Sequence, residues 1–145
     1  NLEERLPLES NTFQGTYCAF ALEHLSYRKI RGFIGEVYRI LAPGGLAVFV
    51  TADTYAQCKK ALETPPEDWG DGISNLIFGG QDYSDNTHKV ALSRPGAIKM
   101  FREAGFWQVN TLDHPGIIGP NGYEKVETDF ILEARKSAAV ISYSL

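Results

Sequence analysis

The sequence is poor in the features that mark several large classes of protein. It has two cysteines, Cys18 and Cys58, whose spacing fits neither a disulfide framework nor a metal site. It contains no signal peptide and no apolar run near the roughly 20 residues that a membrane-spanning helix needs. Acidic residues outnumber basic ones by 18 to 14, which argues against a surface that binds nucleic acid. We therefore expect a cytoplasmic protein with no nucleic-acid and no membrane partner.

A glycine-rich phosphate-binding loop is also missing, since no Gly-x-Gly-x-x-Gly pattern occurs in the sequence. The chain starts at Asn1 rather than at methionine and is already in mid-pattern there, so we expect that an N-terminal part is missing. The composition is that of a folded protein, with 43% hydrophobic and 22% charged residues. A length of 145 residues predicts a single domain over residues 1–145.

Residues 13–51 have the pattern of a strand, an amphipathic helix and a second strand. Thr16 to Phe20 and Leu46 to Val50 are almost wholly apolar or small, as in strands that are covered on both faces. Ser26 is a good N-cap for the helix between them, and Pro43 with the following glycines would end it. The apolar stripe of this helix comprises Ile30, Phe33, Ile34, Val37 and Leu41. Gly32 and Gly35 would let the helix approach the sheet closely.

The second half of the chain predicts further helices and strands. Asp53 or Thr54 would cap a helix that runs through Leu62, and Ser93 would cap one from Arg94 to Ala104. Residues 107–112 and 124–134 read as two strands of an antiparallel hairpin, joined by a loop that begins near Pro115. Helices that alternate with strands place the chain in the α/β class.

Residues 64–89 read as an insertion. Two prolines and two glycines within residues 64–72 argue against a regular element, and the remainder is polar and glycine-rich. Long irregular segments are usually functional or disordered. We expect this segment to fold as a lid over the carboxyl ends of the two apolar strands, because ligands of open α/β sheets bind there. The alternative is a mobile loop that packs elsewhere.

Three stretches together resemble a known family. They are residues 13–15 (Phe-Gln-Gly), 22–25 (Leu-Glu-His-Leu) and 36–45 (Glu-Val-Tyr-Arg-Ile-Leu-Ala-Pro-Gly-Gly). Their order and spacing resemble the middle of the class I S-adenosylmethionine-dependent methyltransferases, in particular the UbiE/type-11-like branch. The resemblance implies the C-terminal part of a Rossmann-like sheet, with parallel strands and a C-terminal antiparallel hairpin, flanked by helices. The family's glycine-rich cofactor motif would lie before Asn1.

The resemblance also implies a set of residues around S-adenosylmethionine. Asn1 stands where the family places an acidic residue near the adenine, with Leu2 beside it. Cys18, Ala19 and Phe20 would line the same cofactor pocket, and are otherwise core residues. His24 would face the acceptor and accept a proton; the alternative is a histidine that caps the junction between strand and helix.

The insertion offers candidates for the acceptor pocket. His88 would be a second candidate base, and Gln81 and Tyr83 would bind the substrate, since binding residues concentrate on loops. These positions fit a solvated polar loop equally well. His24, His88 and His114 are too scattered in the sequence to predict a metal site from spacing.

The sequence is compatible with two functions. The resemblance implies methyl transfer from S-adenosylmethionine to a small-molecule acceptor, as part of a longer chain. The alternative is a methyltransferase-like binding or assembly module without activity. Such a module would expose the edge of the strand from Thr16 to Phe20 and would associate with itself through that edge.

Overall fold

The structure, a computed structural model, describes residues 1–114, 117–119, 122–124 and 127–138. The six strands are β1 (Phe13–Ala19), β2 (Leu41–Ala52), β3 (Gln108–Asp113), β4 (Ile117–Gly119), β5 (Gly122–Glu124) and β6 (Asp129–Arg135). The four α-helices are α1 (Ile30–Ile40), α2 (Thr54–Glu63), α3 (Gly70–Phe78) and α4 (Arg94–Glu103). Two short 3-10 helices span Leu22–His24 and Pro66–Asp68. No helix of the described ranges is long and apolar enough to cross a membrane.

The main sheet has four strands in the order β1-β2-β6-β3. β1 and β2 are parallel and are connected through α1, which confirms the predicted strand-helix-strand unit. β6 is antiparallel to β3, as the predicted C-terminal hairpin requires, but it also pairs with β2 and so lies between the two. The α/β class with flanking helices is therefore confirmed. β4 and β5 form a separate two-stranded ribbon, while Pro115 and Gly116 in the predicted loop lie outside the described residues.

The first helix contains four residues of its predicted apolar stripe, and Ile30, Phe33, Ile34 and Val37 are all buried. The fifth, Leu41, lies in the following strand, because α1 ends at Ile40 and not at Pro43 as predicted. Its start differs from the prediction, because Ser26 caps a turn just before the helix and α1 begins at Ile30. The expected role of the helix glycines is also wrong. A Cβ atom at Gly32 or Gly35 would meet nothing within 4 Å, so neither glycine brings α1 closer to the sheet.

The second strand is longer than its apolar run. β2 begins at Leu41, directly after α1, and passes through Pro43 and Gly44 before reaching Leu46. The pairing with β1 shifts register between Phe13 and Gly15, opposite this segment, so an irregularity accommodates the extra residues. A β-bulge of this kind absorbs turn-forming residues without ending the strand.

The expectation that residues 64–72 hold no regular element is wrong. The 3-10 helix begins at Pro66, and the indole N–H of Trp69 donates to the carbonyl oxygen of Thr64 at 3.0 Å. α3 follows from Gly70 to Phe78 and buries Ile73. Apolar residues at 73, 76 and 77 have helical spacing, and they outweigh the glycines at the start of the helix.

Aromatic side chains join the helices to the sheet. The ring of Phe49 in β2 lies between Phe33 of α1 and Phe101 of α4, at centroid distances of 6.3 and 4.9 Å with edge-on geometry. All three rings are buried in the core, together with Phe130 of β6. Because α1 and α4 both pack onto the central strand, the carboxyl ends of β1 and β2 are held in fixed positions.

Candidate active site

The candidate site begins where β1 ends. The amide of Phe20 donates to the carbonyl oxygen of Val50 at 2.8 Å, which continues the pairing of β1 with β2 by one residue. Phe20 then adopts a positive φ of 51°, and the chain turns into the 3-10 helix that contains Glu23 and His24. A non-glycine residue in this region carries backbone strain, which is concentrated at functional sites.

A cavity of about 620 Å³ opens beyond this turn. Its volume falls within the range of small-molecule sites. One wall comes from the N-terminal segment, which is held in place because the Glu3 carboxylate accepts a hydrogen bond from the Ser26 amide at 2.7 Å. The lining residues are Asn1, Leu2, Glu3, Phe20, Ala21, His24, Leu25, Tyr83, Asp85 and Lys89.

Glu23 connects the end of β1 to the insertion. Its side chain is buried and accepts a hydrogen bond from the Thr51 hydroxyl at 2.9 Å. Its backbone carbonyl accepts a hydrogen bond from the Lys89 amide at 2.7 Å. The last residues of the insertion are therefore tied to the turn after β1, although they lie far apart in the sequence.

The same connection brings His24 and His88 together. Their ring centroids are 5.2 Å apart in an edge-on arrangement. Nδ1 of His24 lies 3.1 Å from the carbonyl oxygen of Thr87, and Nδ1 of His88 lies 3.1 Å from that of Ile77. A carbonyl oxygen only accepts hydrogen bonds, so each neutral ring carries its proton on Nδ1 and keeps a lone pair on Nε2.

Comparisons with known proteins agree on the fold. Residues 1–49 match the methyltransferase-domain family. The crystal structure of the CurJ carbon methyltransferase superposes with a TM-score of 0.58 and 21% identity, over 95% of this chain and 34% of that one. A possible histamine N-methyltransferase of Thermotoga maritima gives a TM-score of 0.58 and 17% identity, over 94% of this chain and 62% of that one. The fold is that of the class I methyltransferases.

These matches confirm the resemblance drawn from the sequence motifs. The chain spans less than two thirds of either methyltransferase structure. An uncharacterised protein of Saccharomyces cerevisiae is 36% identical over 52 residues, which are 36% of this chain and 6% of that protein. Matches at these sequence identities show the architecture of the chain. The activity and the acceptor have to be argued from the chemistry of the site.

In the methyltransferase fold, the cavity beyond β1 has a lining that suits S-adenosylmethionine. Phe20 provides an aromatic face for a planar base, and the Asn1 amide provides hydrogen-bonding groups. Glu3 provides negative charge that favours a sulfonium cation, whereas the charge of Asp85 is paired with Lys89 at 3.6 Å. The residues present therefore fit the cofactor, with Asn1, Leu2 and Phe20 on the wall of the cavity.

Cys18 and Ala19, which were expected to line the cofactor pocket, are not among the residues that line this cavity. Cys18 packs against the hydrophobic core, and Ala19 is half-buried and pairs with Val50. Burial, with a smaller contribution from the charge of Glu23, raises the pKa of the Cys18 thiol to about 11. The thiol is therefore protonated at neutral pH and is not a nucleophile.

The predicted substrate residues are divided between two cavities. Tyr83 lines the cavity that contains His24. Gln81 lines a different cavity of about 580 Å³, next to Asn75 and Gly79 at the end of α3. The backbone amide of Gln81 donates to the carbonyl oxygen of Asn86 at 2.8 Å and closes a local turn. The structure thus places Tyr83 and His88 near His24, and Gln81 apart from them.

Sequence reasoning missed a group of acidic side chains that lie close together, namely Glu23, Asp53 and Asp129. Asp129 begins β6, and its pKa is raised to about 6 by burial and by the charges of Glu23 and Asp53. Arg94 offsets part of this charge, because its guanidinium lies 3.3 Å from Asp53 and 2.7 Å from Asp113. Asp129 reaches this position only because β6 pairs with β2, so no local pattern could have predicted it.

Proposed function

We propose that this chain takes part in methyl transfer from S-adenosylmethionine to a small-molecule acceptor, as part of a longer protein. The observation that carries this proposal is the cavity beyond β1, in a methyltransferase fold, with His24 on its wall and His88 in contact with His24. Ligands of open α/β sheets bind at this end of the strands. The net charge of -4 disfavours a nucleic-acid acceptor, and two free cysteines fit the reducing cytoplasm.

The cofactor, when bound, supplies a methyl group on its sulfonium sulfur, and the bond from methyl carbon to sulfur breaks as the acceptor's bond forms. The chain's own contribution is to position the acceptor and to remove its proton. Nε2 of His24 or of His88 takes the proton of an oxygen or nitrogen acceptor, because Nδ1 of each ring donates to a backbone carbonyl. Tyr83, which lines the same cavity, would contact the acceptor, and correct positioning accounts for much of the rate.

Calorimetric titration with S-adenosylmethionine tests the proposal. We expect the longer protein that contains this chain to bind the cofactor. Exchange of His24 for glutamine should lower kcat at least about 100-fold, with little change in cofactor affinity, because general bases contribute about 10²–10⁴-fold. Glu67→Gln, an exposed side chain that does not line the cavity, is the control and should leave kcat unchanged. Absence of cofactor binding by the longer protein would refute methyl transfer.

A second function has one specific observation in its favour. In the described part of the chain, β1 has a single strand neighbour, so its other edge carries unpaired backbone groups. Tyr17 on this strand is 72% exposed. An open edge with an exposed aromatic residue favours pairing with another chain. We therefore retain, as the alternative, a binding or assembly module without catalytic activity.

A further inference from the structure

The cluster formed by Glu23, His24 and His88 has the composition of a metal site. One ligand atom from each of the three side chains lies within 4.8 Å of the other two. Zinc bonds of about 2.0–2.1 Å to nitrogen and oxygen hold neighbouring ligands roughly 3–3.5 Å apart. Side-chain rotations that shorten these separations by about 1–2 Å would therefore bring the three atoms around one ion.

Each candidate ligand is already oriented by a hydrogen bond of its own. The two histidines contact the carbonyl oxygens of Thr87 and Ile77 through Nδ1, which turns both Nε2 lone pairs away from these contacts. The Glu23 carboxylate accepts one hydrogen bond from Thr51, which leaves further lone pairs on its oxygens. Outer hydrogen bonds of this kind fix the tautomer and the ring orientation of metal-binding histidines.

The charge of the cluster also favours a cation. Glu23 is 2% exposed, and the ion pairs recorded among the described residues do not include it. A buried carboxylate without a positive partner is costly, and a bound dication would compensate it.

We propose that Glu23, His24 and His88 bind one divalent transition-metal ion of the zinc or cobalt type. Two imidazole nitrogens and a carboxylate suit these ions, whereas magnesium and calcium prefer oxygen ligands. Three protein ligands leave at least one position for water or for an oxygen atom of a bound molecule. Metal binding does not depend on methyl transfer. If both hold, the two histidines would act as ligands, and the ion would lower the pKa of an acceptor hydroxyl in place of proton removal by a free imidazole.

Titration with Co²⁺ after removal of metals by a chelator tests the site. We expect one equivalent to bind, with the visible absorption bands of cobalt in a nitrogen-containing site. His88→Gln should weaken binding at least about 100-fold, since even the loss of an outer partner costs 10–100-fold. His114→Gln removes the same kind of side chain outside the cluster and should bind as the parent does. Thr51→Val removes the hydroxyl that orients Glu23 and should weaken binding about 10–100-fold.

Melting curves with and without Zn²⁺ give a second measurement, because an ion that binds the folded state raises the melting temperature. If His88→Gln does not fold, His24→Gln makes the same comparison. No binding by the parent, or equal losses in His88→Gln and His114→Gln, would overturn the metal site. If the longer protein binds the metal but not the cofactor, the result would uphold the site and refute methyl transfer. Methyl transfer that persists after chelation, with no metal bound, would uphold methyl transfer and refute the metal site.

Discussion

Glu36 and Arg39 are the residues that attach the N-terminal segment to α1. Their side chains form a 2.8 Å ion pair and both are largely shielded from solvent. The same side chains hold Leu6, whose amide donates to Glu36 and whose carbonyl accepts from Arg39. The hydrogen bonds from Arg39 contribute most to lowering the pKa of Glu36 to about 2. The N-terminal segment includes Asn1, which lines the cavity, so this wall of the cavity is held in place by the ion pair of Glu36 and Arg39.

The low pKa of Glu36 makes part of the protein's stability sensitive to acid. A carboxyl with a pKa of about 2 in the folded state and about 4.3 in the unfolded state stabilises the fold above the higher value. That contribution is lost as the pH falls from about 4.3 to 2. In Glu36→Gln, the free energy of unfolding should therefore decrease less over this range than in the parent. Urea unfolding at several pH values measures the difference, with exposed Glu67→Gln as control, and identical pH profiles would contradict it.

Gly79 illustrates a backbone requirement at a single residue. It ends α3 with φ 81° and ψ 171°, a conformation that is essentially limited to glycine. An added Cβ would also lie 2.7 Å from the carbonyl oxygen of Asn86 and 3.1 Å from the amide of His88. The position of His88 next to His24 therefore depends on glycine at position 79.

Two alanine substitutions separate this requirement from helix propensity. Gly79→Ala should lower the free energy of unfolding by about 1–3 kcal/mol. Gly72→Ala, inside α3, would place its Cβ in open space and should be neutral or stabilising by up to about 1 kcal/mol. Denaturant titration of both variants checks the contrast. Equal effects would show that the conformation of residue 79 is not the cause.

At the scale of elements, α4 is held by a side-chain cap and by its buried face. The Ser93 hydroxyl accepts a hydrogen bond from the Gly96 amide at 3.3 Å, and Ala97 and Phe101 are fully buried. Loss of an N-cap typically costs about 1 kcal/mol. Ser93→Ala should reduce the free energy of unfolding by that amount, whereas Ser84→Ala in an exposed turn should change it by less than about 0.5 kcal/mol. Chemical denaturation measures both variants. An unchanged free energy of unfolding in Ser93→Ala would show that the cap does not stabilise α4.

At the scale of the whole molecule, the outer edge of β1 is the surface through which we expect the chain to associate. β1 has one strand neighbour among the described residues, and Tyr17 projects from it into solvent. An unpaired edge pairs readily with another chain, and charged side chains on the edge oppose this. The prediction applies to the 145-residue chain as it stands, whichever of the two proposed functions holds.

Light scattering tests this prediction directly. We expect the 16.1 kDa chain to form larger species as its concentration rises. Tyr17→Lys should shift the distribution towards monomer. Tyr55→Lys changes a tyrosine that is 73% exposed on α2, away from the edge, and should leave association unchanged. A monomer at every concentration, or equal effects of the two variants, would exclude association through β1.

The sequence by itself determined the elements that have strong local signals. The apolar stripe predicted α1, and the caps at Asp53 and Ser93 predicted α2 and α4. A stripe or a cap involves residues within one or two turns of each other, so the printed sequence contains the whole signal. The same locality explains one failure. Nearby prolines and glycines in residues 64–72 outweighed the apolar spacing that begins at Ile73, so α3 was not predicted.

Only the tertiary structure decided which distant residues meet. β6 lies between β2 and β3, and this order places Asp129 near Glu23 and Asp53. The contact between His24 and His88 depends on hydrogen bonds from the insertion to the turn after β1. The separation of Gln81 from this pair also follows from the way the insertion folds. Such contacts are set by packing and by backbone hydrogen bonds between remote segments, and these interactions leave no periodic pattern in either segment.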